Sequence, residues 1–568
     1  MRLARLLAGV LAAAGPAIGC LAAFGADWPQ WGGRPDKNMV SAEKGLADRF
    51  TPGEKDPQGA GIKMETTQNV RWAARIGAMT CSTPAVAGGR VFVGTMRDDM
   101  GALVCLDEAA GRPLWQYVAP VRSDVPQEVE GRRFEFGRFP RQLGVCSSPA
   151  VDGDRLYFVD HRLVVMCVTT AGKPKSAKPA AGMAARKPAE KPAETAKPAD
   201  AAAKDKSGKA AAPKVQWPEG PGEADVVWEF DLWKFGIRPS DACDCSPVYD
   251  DKFVYVCSAN GCDRQAEANK HDEFRKIPAP DAPNVIVLDK KTGRLVATDD
   301  VRYPDRLLHG QWSSLALGQV GGRTLIFFGG GDGRCYAFEA PASAETPGGK
   351  PAVLKKVWVV DCNPKEYQIY GDMPLITHYC LGDRRRSDGL NKVQDGNFVG
   401  MSEIVATPVF YKNRVYVAIG RDPEHGRGRG ALWCIDAAMT GDTPESGKVW
   451  CYQGLDRSLS TVSIADGLLY VSDVAGRLHC LDAETGRPEW VFETNSKVWG
   501  STLVADGKVY MPTEKGLWVL AAGKELKMLS KIVVGAPVWA SPVAANGTLF
   551  VTSKNWMWAV QQKPSPAK

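Results

Sequence analysis

The sequence predicts an all-β fold, namely an eight-bladed β-propeller of four-stranded antiparallel blades. Three observations predict it: a two-strand pattern recurs eight times, the last three copies are 40 residues apart, and the composition favours turns. There are 59 Gly and 39 Pro among 568 residues, without a collagen-like period. With 44% hydrophobic residues, the chain can bury a large core or several.

The first 25 residues are typical of an export signal, because two arginines precede an Ala- and Gly-rich apolar stretch too short to span a bilayer. Cleavage after Gly25 is favoured. The alternative is a lipoprotein signal, which would leave a lipid anchor on Cys20. Both routes predict an extracytoplasmic protein, either periplasmic, secreted or anchored to the envelope. Residues 26–68 are then an N-terminal extension.

The repeated unit is recognised by an aromatic residue in its second strand. A first strand, often opened by Ser-Pro or Thr-Pro, precedes it across a Gly, Asn or Asp turn. A third strand of the LVCLD type and a fourth strand, usually with Trp, follow it. Tandem four-stranded units of this length are typical of propellers. The eight aromatic residues are Phe92, Tyr157, Tyr255, Phe327, Tyr416, Tyr470, Tyr510 and Phe550.

The eighth unit lacks a fourth strand, because only one strand, at 557–560, follows Phe550. The missing strand is predicted at 69–75, where Trp72 occupies the position of the other outer-strand tryptophans. We therefore expect this segment to pair into the last blade and to close a propeller over residues 69–561, which removes an exposed edge. Residues 562–568 are predicted to be a flexible tail.

The net charge of +6 does not indicate nucleic-acid binding, because it comes from one segment, residues 172–214. This segment is rich in Lys, Pro and Ala and is inserted in the second unit. It has almost no large apolar residue to bury, so it is predicted to be a disordered tether. The rest of the chain is close to neutral.

Several units resemble the pyrroloquinoline-quinone (PQQ) repeat. The resemblance rests on LDAETGRPEW at 481–490, LDEAAGRPLW at 106–115 and LDKKTGRLV at 288–296, and DWPQWGG at 27–33 resembles the mature start of exported PQQ-like propellers. It implies the quinoprotein alcohol dehydrogenase-like superfamily. That superfamily includes quinone-dependent dehydrogenases and also non-enzymatic propeller lipoproteins of outer-membrane protein assembly.

Eight of the 15 cysteines fall into two groups. Four occupy a third-strand position that other units fill with Val or Ala, and these are predicted to be buried free thiols: Cys105, Cys167, Cys434 and Cys480. Two further pairs each share one loop and are candidate disulfides, although sequence does not establish the pairing. These are Cys257 with Cys262 and Cys362 with Cys380.

The sequence identifies no catalytic residue. By the family resemblance, a quinoprotein dehydrogenase would have two adjacent cysteines, a calcium site of Glu, Asn and Asp, and a catalytic Asp. No two cysteines are adjacent, and no CxxCH, GxSxG or HExxH motif occurs. Cys243 and Cys245 could begin a thiolate metal site, but no second pair at zinc spacing accompanies them, so an ordinary loop is favoured and no metal site is predicted.

Functional residues are expected on one face, which carries the loops from each fourth strand to the next first strand and from each second strand to the third. Trp312, Trp499 and Trp539 begin inner strands and should rim the central channel. There they could stack a planar cofactor, a sugar or a peptide side chain, or merely plug the channel. Other residues of this face could bind an anionic ligand or be ordinary surface groups. They are Arg132, Arg133, Arg138, Arg141, His271, His309, His378, Arg384, Arg385, His425 and Arg427.

Two functions are compatible with these features. The favoured function is that of an exported binding or scaffold propeller, which presents its loop-rich face to an extracytoplasmic protein or glycan. This function requires no residues beyond those already identified. The alternative is an oxidoreductase that acts on alcohols or aldose sugars with PQQ and Ca²⁺. We expect a monomer, no nucleic-acid partner, and no membrane contact beyond the possible anchor at Cys20.

Overall fold

The computed structural model describes most of the chain outside the long loops, and structural statements refer to those residues alone. They are residues 26–56, 61–98, 100–120, 122, 128–129, 132–133, 143–175, 217–218, 220–239, 243–261, 275–303, 306–307, 309–363, 369–370, 373–374, 402–420, 430–442 and 447–562.

Eight antiparallel sheets, here numbered blades 1 to 8, make up the fold, which confirms the predicted eight-bladed propeller. Blade 1 consists of Ala85–Ala87, Arg90–Arg97, Met100–Asp107 and Pro113–Val118. Blade 2 consists of Ala150–Asp152, Arg155–Val159, Val164–Thr169 and Val226–Asp231. Blade 3 consists of Val248–Tyr249, Phe253–Cys257, Val285–Asp289 and Leu295–Thr298. Blade 4 consists of Ala316–Val320, Arg323–Gly329, Arg334–Glu339 and Lys356–Asp361.

The second half of the propeller repeats the same order of strands. Blade 5 consists of Val409–Tyr411, Arg414–Ile419, Ala431–Asp436 and Lys448–Tyr452. Blade 6 consists of Ser463–Ala465, Leu468–Ser472, Arg477–Asp482 and Pro488–Glu493. Blade 7 consists of Leu503–Ala505, Lys508–Thr513, Gly516–Ala521 and Met528–Ile532. Blade 8 consists of Val543–Ala545, Thr548–Thr552, Trp556–Val560 and, from the beginning of the chain, Val70–Arg75.

The outer strand of blade 8 comes from the beginning of the chain. Val70–Arg75 runs antiparallel to Trp556–Val560, with Trp72 opposite Ala559. Blade 8 therefore contains three strands from the end of the sequence and one from its beginning. The strand Val70–Arg75 forms the outer edge of this sheet.

One cross-strand row explains the sequence repeat. In blade 1, Phe92 lies opposite Cys105, which lies opposite Trp115, and the Phe92 and Trp115 ring centroids are 5.9 Å apart. A small residue in the middle strand lets the two large rings on either side of it approach each other. This is why the third-strand position selects Cys, Ala or Val. The four cysteines predicted there are buried free thiols, as expected: Cys105, Cys167, Cys434 and Cys480.

Outer-strand tryptophans dock five of the blades onto the next through an indole hydrogen bond. The indole N–H of Trp72 donates to the carbonyl of Glu108 at 2.8 Å, and that of Trp115 donates to Thr170 at 2.9 Å. Gly111, in the same turn as Glu108, has φ +68°, and a Cβ atom there would lie 2.4 Å from the Trp72 ring. The glycine of the repeated turn therefore provides both a left-handed backbone and room for the neighbouring tryptophan.

Short additional strands extend four blades. Gly222–Glu223, Ala352–Val353 and Gly441–Asp442 lie parallel to the fourth strands of blades 1, 3 and 4, and Val40–Ser41 lies parallel to the first strand of blade 7. Lys173–Pro174, at the start of the predicted tether, pairs with Gly222–Glu223. Residues 176–214 of the tether are outside the described residues, so its disorder stays a prediction.

The remaining regular elements are small. Two-stranded ribbons pair Glu54–Lys55 with Ile62–Lys63, Glu128–Val129 with Arg132–Arg133, Arg275–Lys276 with Arg306–Leu307, and Ile369–Tyr370 with Met373–Pro374. The 3₁₀ helices are Met64–Thr66, Leu232–Phe235 and Pro347–Gly349. Within the described ranges, no helix has the length and apolar character that crossing a membrane would require.

Candidate functional site: the central channel

A closed ring of hydroxyl groups surrounds the channel. Each blade has a Ser or Thr two residues before its first strand, and the backbone N–H of that residue donates to the hydroxyl oxygen of its counterpart in the next blade. Thr83 donates to Ser148 at 3.0 Å, and Ser541 returns to Thr83 at 3.0 Å. This set is termed the hydroxyl ring. Its members are Thr83, Ser148, Ser246, Ser314, Thr407, Thr461, Ser501 and Ser541, joined at 2.8 to 3.3 Å.

The N-terminal segment 26–48, termed the strap, closes one end of the channel. It binds the inner strands at the residue three positions after each ring member. The N–H of Val151 donates to the Pro29 carbonyl at 2.7 Å, and that of Leu317 to the Pro35 carbonyl at 2.8 Å. Equivalent contacts involve Val86, Phe410, Ile464, Val504 and Ala544. Of the eight blades, seven are held in this way.

Trp31 and Lys37 of the strap form the floor of the channel. The Trp31 indole N–H donates to Oγ1 of Thr407 at 3.2 Å, so this ring lies against the hydroxyl ring. Lys37 is fully buried, and its Nζ donates to Gln30 Oε1 at 3.2 Å and to the Trp31 carbonyl at 3.0 Å. Burial lowers the pKa of Lys37 to about 7, against the opposing effect of Asp36. The lysine therefore fixes the backbone that carries Trp31.

The floor, the hydroxyl ring and one further layer enclose a cavity of about 440 Å³. The further layer consists of the residue two positions before each ring member. Because the strap lies at the other end, a ligand would enter from the face of the fourth-to-first loops. The volume is within the range of small-molecule and side-chain pockets. The residues of this layer are Cys81, Cys146, Asp244, Trp312, Val405, Leu459, Trp499 and Trp539.

The structure places all three predicted channel tryptophans in the cavity wall. Trp312 meets the buried His309 ring edge-on, with centroids 4.5 Å apart. Trp499 donates its indole N–H to Glu514 Oε1 at 3.0 Å. The indole N–H of Trp539 has no acceptor among the described residues. A role of these tryptophans in ligand or cofactor binding stays a prediction.

A polar corner, formed by Cys81, Cys146 and Asp244, interrupts the apolar wall. The Cys146 thiol donates to the Leu143 carbonyl at 3.7 Å and lies within interaction distance of Cys81 and Asp244. The Cys81 thiol and then burial are the main causes that raise the pKa of Cys146 well above its ordinary value. Sequence reasoning did not select Cys81 or Cys146, and it assigned Asp244 to an ordinary loop. Their common spacing of two residues before the Ser/Thr position is the signal that identifies them.

The described lining does not fit PQQ. That cofactor carries three carboxylates, which require cationic partners, yet no Lys or Arg is among the lining residues and Asp244 brings a negative charge. Within the described part of the chain, no group of three His, Cys, Asp or Glu side chains could hold a metal ion such as the Ca²⁺ that the oxidoreductase alternative requires.

Most of the other predicted site residues are outside the described residues. These are Arg138, Arg141, His271, His378, Arg384, Arg385, His425, Arg427, Cys20, Cys262 and Cys380. Arg132–Arg133 pairs with Glu128–Val129, but the side chains of this ribbon are also outside the description. Cys257 and Cys362 are buried. The anionic-ligand site, the lipid anchor and both disulfides thus stay predictions.

Comparison with known proteins supports the identification of the repeats. Residues 62–175 and 431–526, less than half of the chain, match the family model described as outer membrane protein assembly factor BamB, which confirms the resemblance to PQQ-like propellers. No curated protein matches the sequence. BamB from Moraxella catarrhalis aligns over 86% of this chain and 99% of its own, at 12% identity and a TM-score of 0.48. Quinohemoprotein alcohol dehydrogenase from Comamonas testosteroni aligns over 96% and 82%, at 11% identity and a TM-score of 0.44.

Proposed function

We propose that this protein is an exported binding propeller that holds a segment of an envelope protein in its channel cavity, with the surrounding loop-rich face as the docking surface. The observation that carries the proposal is the cavity itself. It is closed at one end by the strap and lined by Trp312, Trp499 and Trp539 above the hydroxyl ring.

The cavity wall suits a ligand that carries an aromatic or aliphatic side chain and, close to it, backbone carbonyl groups. The tryptophan rings offer flat apolar surfaces for stacking. Each ring hydroxyl accepts a hydrogen bond from the N–H of a neighbouring blade, and Thr407 accepts a second one from Trp31. A hydroxyl that accepts in this way still has its own O–H proton, which can donate to a ligand oxygen. A peptide that inserts one large side chain could use both features.

Two further observations support an envelope location and a protein partner. The matched family model is named for an outer-membrane protein assembly factor. The backbone nitrogen of Ala26 lies 2.5 Å from Glu43 Oε1. Cleavage after Gly25 would turn that nitrogen into an α-ammonium group paired with a carboxylate, which fits a mature chain beginning at Ala26.

The test is a binding titration of the exported, purified protein. The probes are an outer-membrane β-barrel protein diluted from denaturant, soluble cell-wall muropeptides, and PQQ with Ca²⁺. We expect saturable binding of the barrel protein, measured by calorimetry and by tryptophan fluorescence. Trp499→Ala should weaken it at least tenfold, or about 1.4 kcal/mol, because a buried aromatic anchor is lost.

Trp518→Ala is the matched control, because Trp518 is in the same blade but packs against Phe492 and Lys531 instead of lining the cavity. Equal weakening by both variants, or binding of muropeptides in place of the barrel protein, would refute the proposed ligand class. A bound-PQQ absorbance with dye reduction by alcohols or aldose sugars would instead establish the oxidoreductase alternative.

A further inference from the structure

Cys81 and Cys146 occupy equivalent positions in two neighbouring blades. Each lies two residues before a member of the hydroxyl ring, and the inner strands of blades 1 and 2 are bonded together at this level. The Thr83 N–H donates to Ser148 Oγ at 3.0 Å, and Ser82 Oγ donates to the Ser147 carbonyl at 3.1 Å. These bonds place the two cysteines side by side in the cavity wall.

The two thiols differ in accessibility. Cys81 is partly exposed, whereas Cys146 is only 5% exposed and contacts both the Cys81 thiol and the Asp244 carboxylate. Cys245 also contacts two thiols, those of Cys243 and Cys257, but none of these three lines the cavity. Among the described cysteines, Cys81 and Cys146 therefore form the contacting pair that a reagent can reach from the channel.

We propose that Cys81 and Cys146 are a reversible dithiol–disulfide pair that cross-links blades 1 and 2 at the channel wall. The oxidant is a disulfide, either of low molecular weight or in a thiol oxidase. The Cys81 thiolate attacks one sulfur of that disulfide, whose S–S bond breaks and releases one thiol. Cys146 then attacks Cys81 Sγ and displaces the second thiol.

The electron and proton balance is complete. The two cysteine thiols lose two electrons and two protons, which convert the oxidant disulfide to two thiols. Asp244 is placed to accept the Cys146 proton when that thiol attacks, since its carboxylate contacts the Cys146 thiol. Asp244 is thus a positioning and proton-accepting residue of the pair. Because the disulfide would replace two thiols in the wall that holds the tryptophans, the redox state would change the binding surface of the cavity.

The experiment is a thiol titration that needs no ligand. The reduced mature protein is equilibrated with glutathione buffers of increasing oxidised fraction, quenched with N-ethylmaleimide, digested and mapped by mass spectrometry without reduction. We expect a peptide pair linked through Cys81 and Cys146 whose yield rises with oxidised glutathione. It should disappear on adding dithiothreitol to the folded protein, because Cys81 is accessible from the cavity.

Cys81→Ser and, independently, Cys146→Ser should each abolish the linked peptide, while Cys105→Ser, beneath Trp115 in blade 1, should leave it unchanged. The proposal is overturned by full maleimide labelling of both cysteines in every buffer, or by a glutathione adduct at Cys81 without a cross-link. Equal cross-linking among Cys243, Cys245 and Cys257 would also overturn it. So would a linkage that resists dithiothreitol in the folded state.

Discussion

The backbone N–H of Ser541 donates to Oγ1 of Thr83 at 3.0 Å, although 458 residues separate them in the chain. This bond completes the hydroxyl ring, so the first and last blades meet around the channel. The same ring forms the lower wall of the cavity. The repeated Ser/Thr residues therefore have two roles, because they join neighbouring blades and also line the candidate site.

Loss of one ring hydroxyl should destabilise the protein. In Ser246→Ala, the buried N–H of Ser148 loses its acceptor at 2.9 Å, so the free energy of unfolding should fall by about 1–3 kcal/mol in urea titrations. Ser343→Ala, at an exposed position, should change it by less than about 0.5 kcal/mol. Equal effects in the two variants would show that the ring bonds contribute nothing to stability.

The turn glycine beside Trp72 should be sensitive to a single methyl group. Gly89 has φ +74° and open space around a Cβ atom, whereas Gly111 has φ +68° and the Trp72 ring 2.4 Å from that position. Alanine imposes similar backbone strain at both sites, so Gly111→Ala should cost about 1–3 kcal/mol more than Gly89→Ala. Thermal unfolding of both variants measures the difference. A smaller effect at Gly111 would contradict tight docking of Trp72.

The buried Lys37 should make stability depend on pH. Its folded pKa is about 7 against an ordinary value of 10.5, so between these values the unfolded chain binds a proton that the folded chain does not. Wild-type stability should therefore gain from this group as the pH rises from about 7 to 10. Lys37→Met removes that gain, and the difference from wild type should change by about 1 kcal/mol per pH unit.

Urea titrations at several pH values between 7 and 10 measure this slope, with Lys44→Met as the control at an exposed position of the strap. If both variants run parallel to wild type across the range, Lys37 keeps an ordinary pKa in the folded protein.

The mature terminus can be determined directly. Intact mass and N-terminal sequencing of the exported protein should identify Ala26 as the first residue. The Glu43 carboxylate accepts hydrogen bonds from the Ala26 nitrogen at 2.5 Å and from the Gly547 N–H at 2.6 Å. Glu43→Gln should then lower the melting temperature, because the negative charge that faces the Ala26 ammonium group is lost. Glu514→Gln, whose carboxylate accepts from Trp499, tests whether any lost carboxylate has the same effect. A lipidated Cys20 at the terminus would instead establish the lipoprotein signal.

The local sequence pattern was sufficient to predict the blades. The row of Phe92, Cys105 and Trp115 shows why: each residue type is selected by its immediate cross-strand neighbours. Six of the eight blades repeat this row with a Trp in the outer strand, whereas blades 3 and 7 have Ala297 and Ser530 there. The Ser/Thr position before each first strand belongs to the same repeat. A sequence read alone could therefore assign the strands, the turns, the free thiols of the third strands and the channel position of Trp312, Trp499 and Trp539.

Only the tertiary structure decided what the channel contains. The strap has no sequence periodicity. Nothing in residues 26–48 therefore indicated that Trp31 would close one end of the channel or that Lys37 would be buried. Likewise, Cys81, Cys146 and Asp244 lie in three different units and become neighbours through the ordering of blades 1 to 3 around the channel. Periodicity reports contacts within a repeat, whereas these contacts arise between repeats that are brought together when the ring closes.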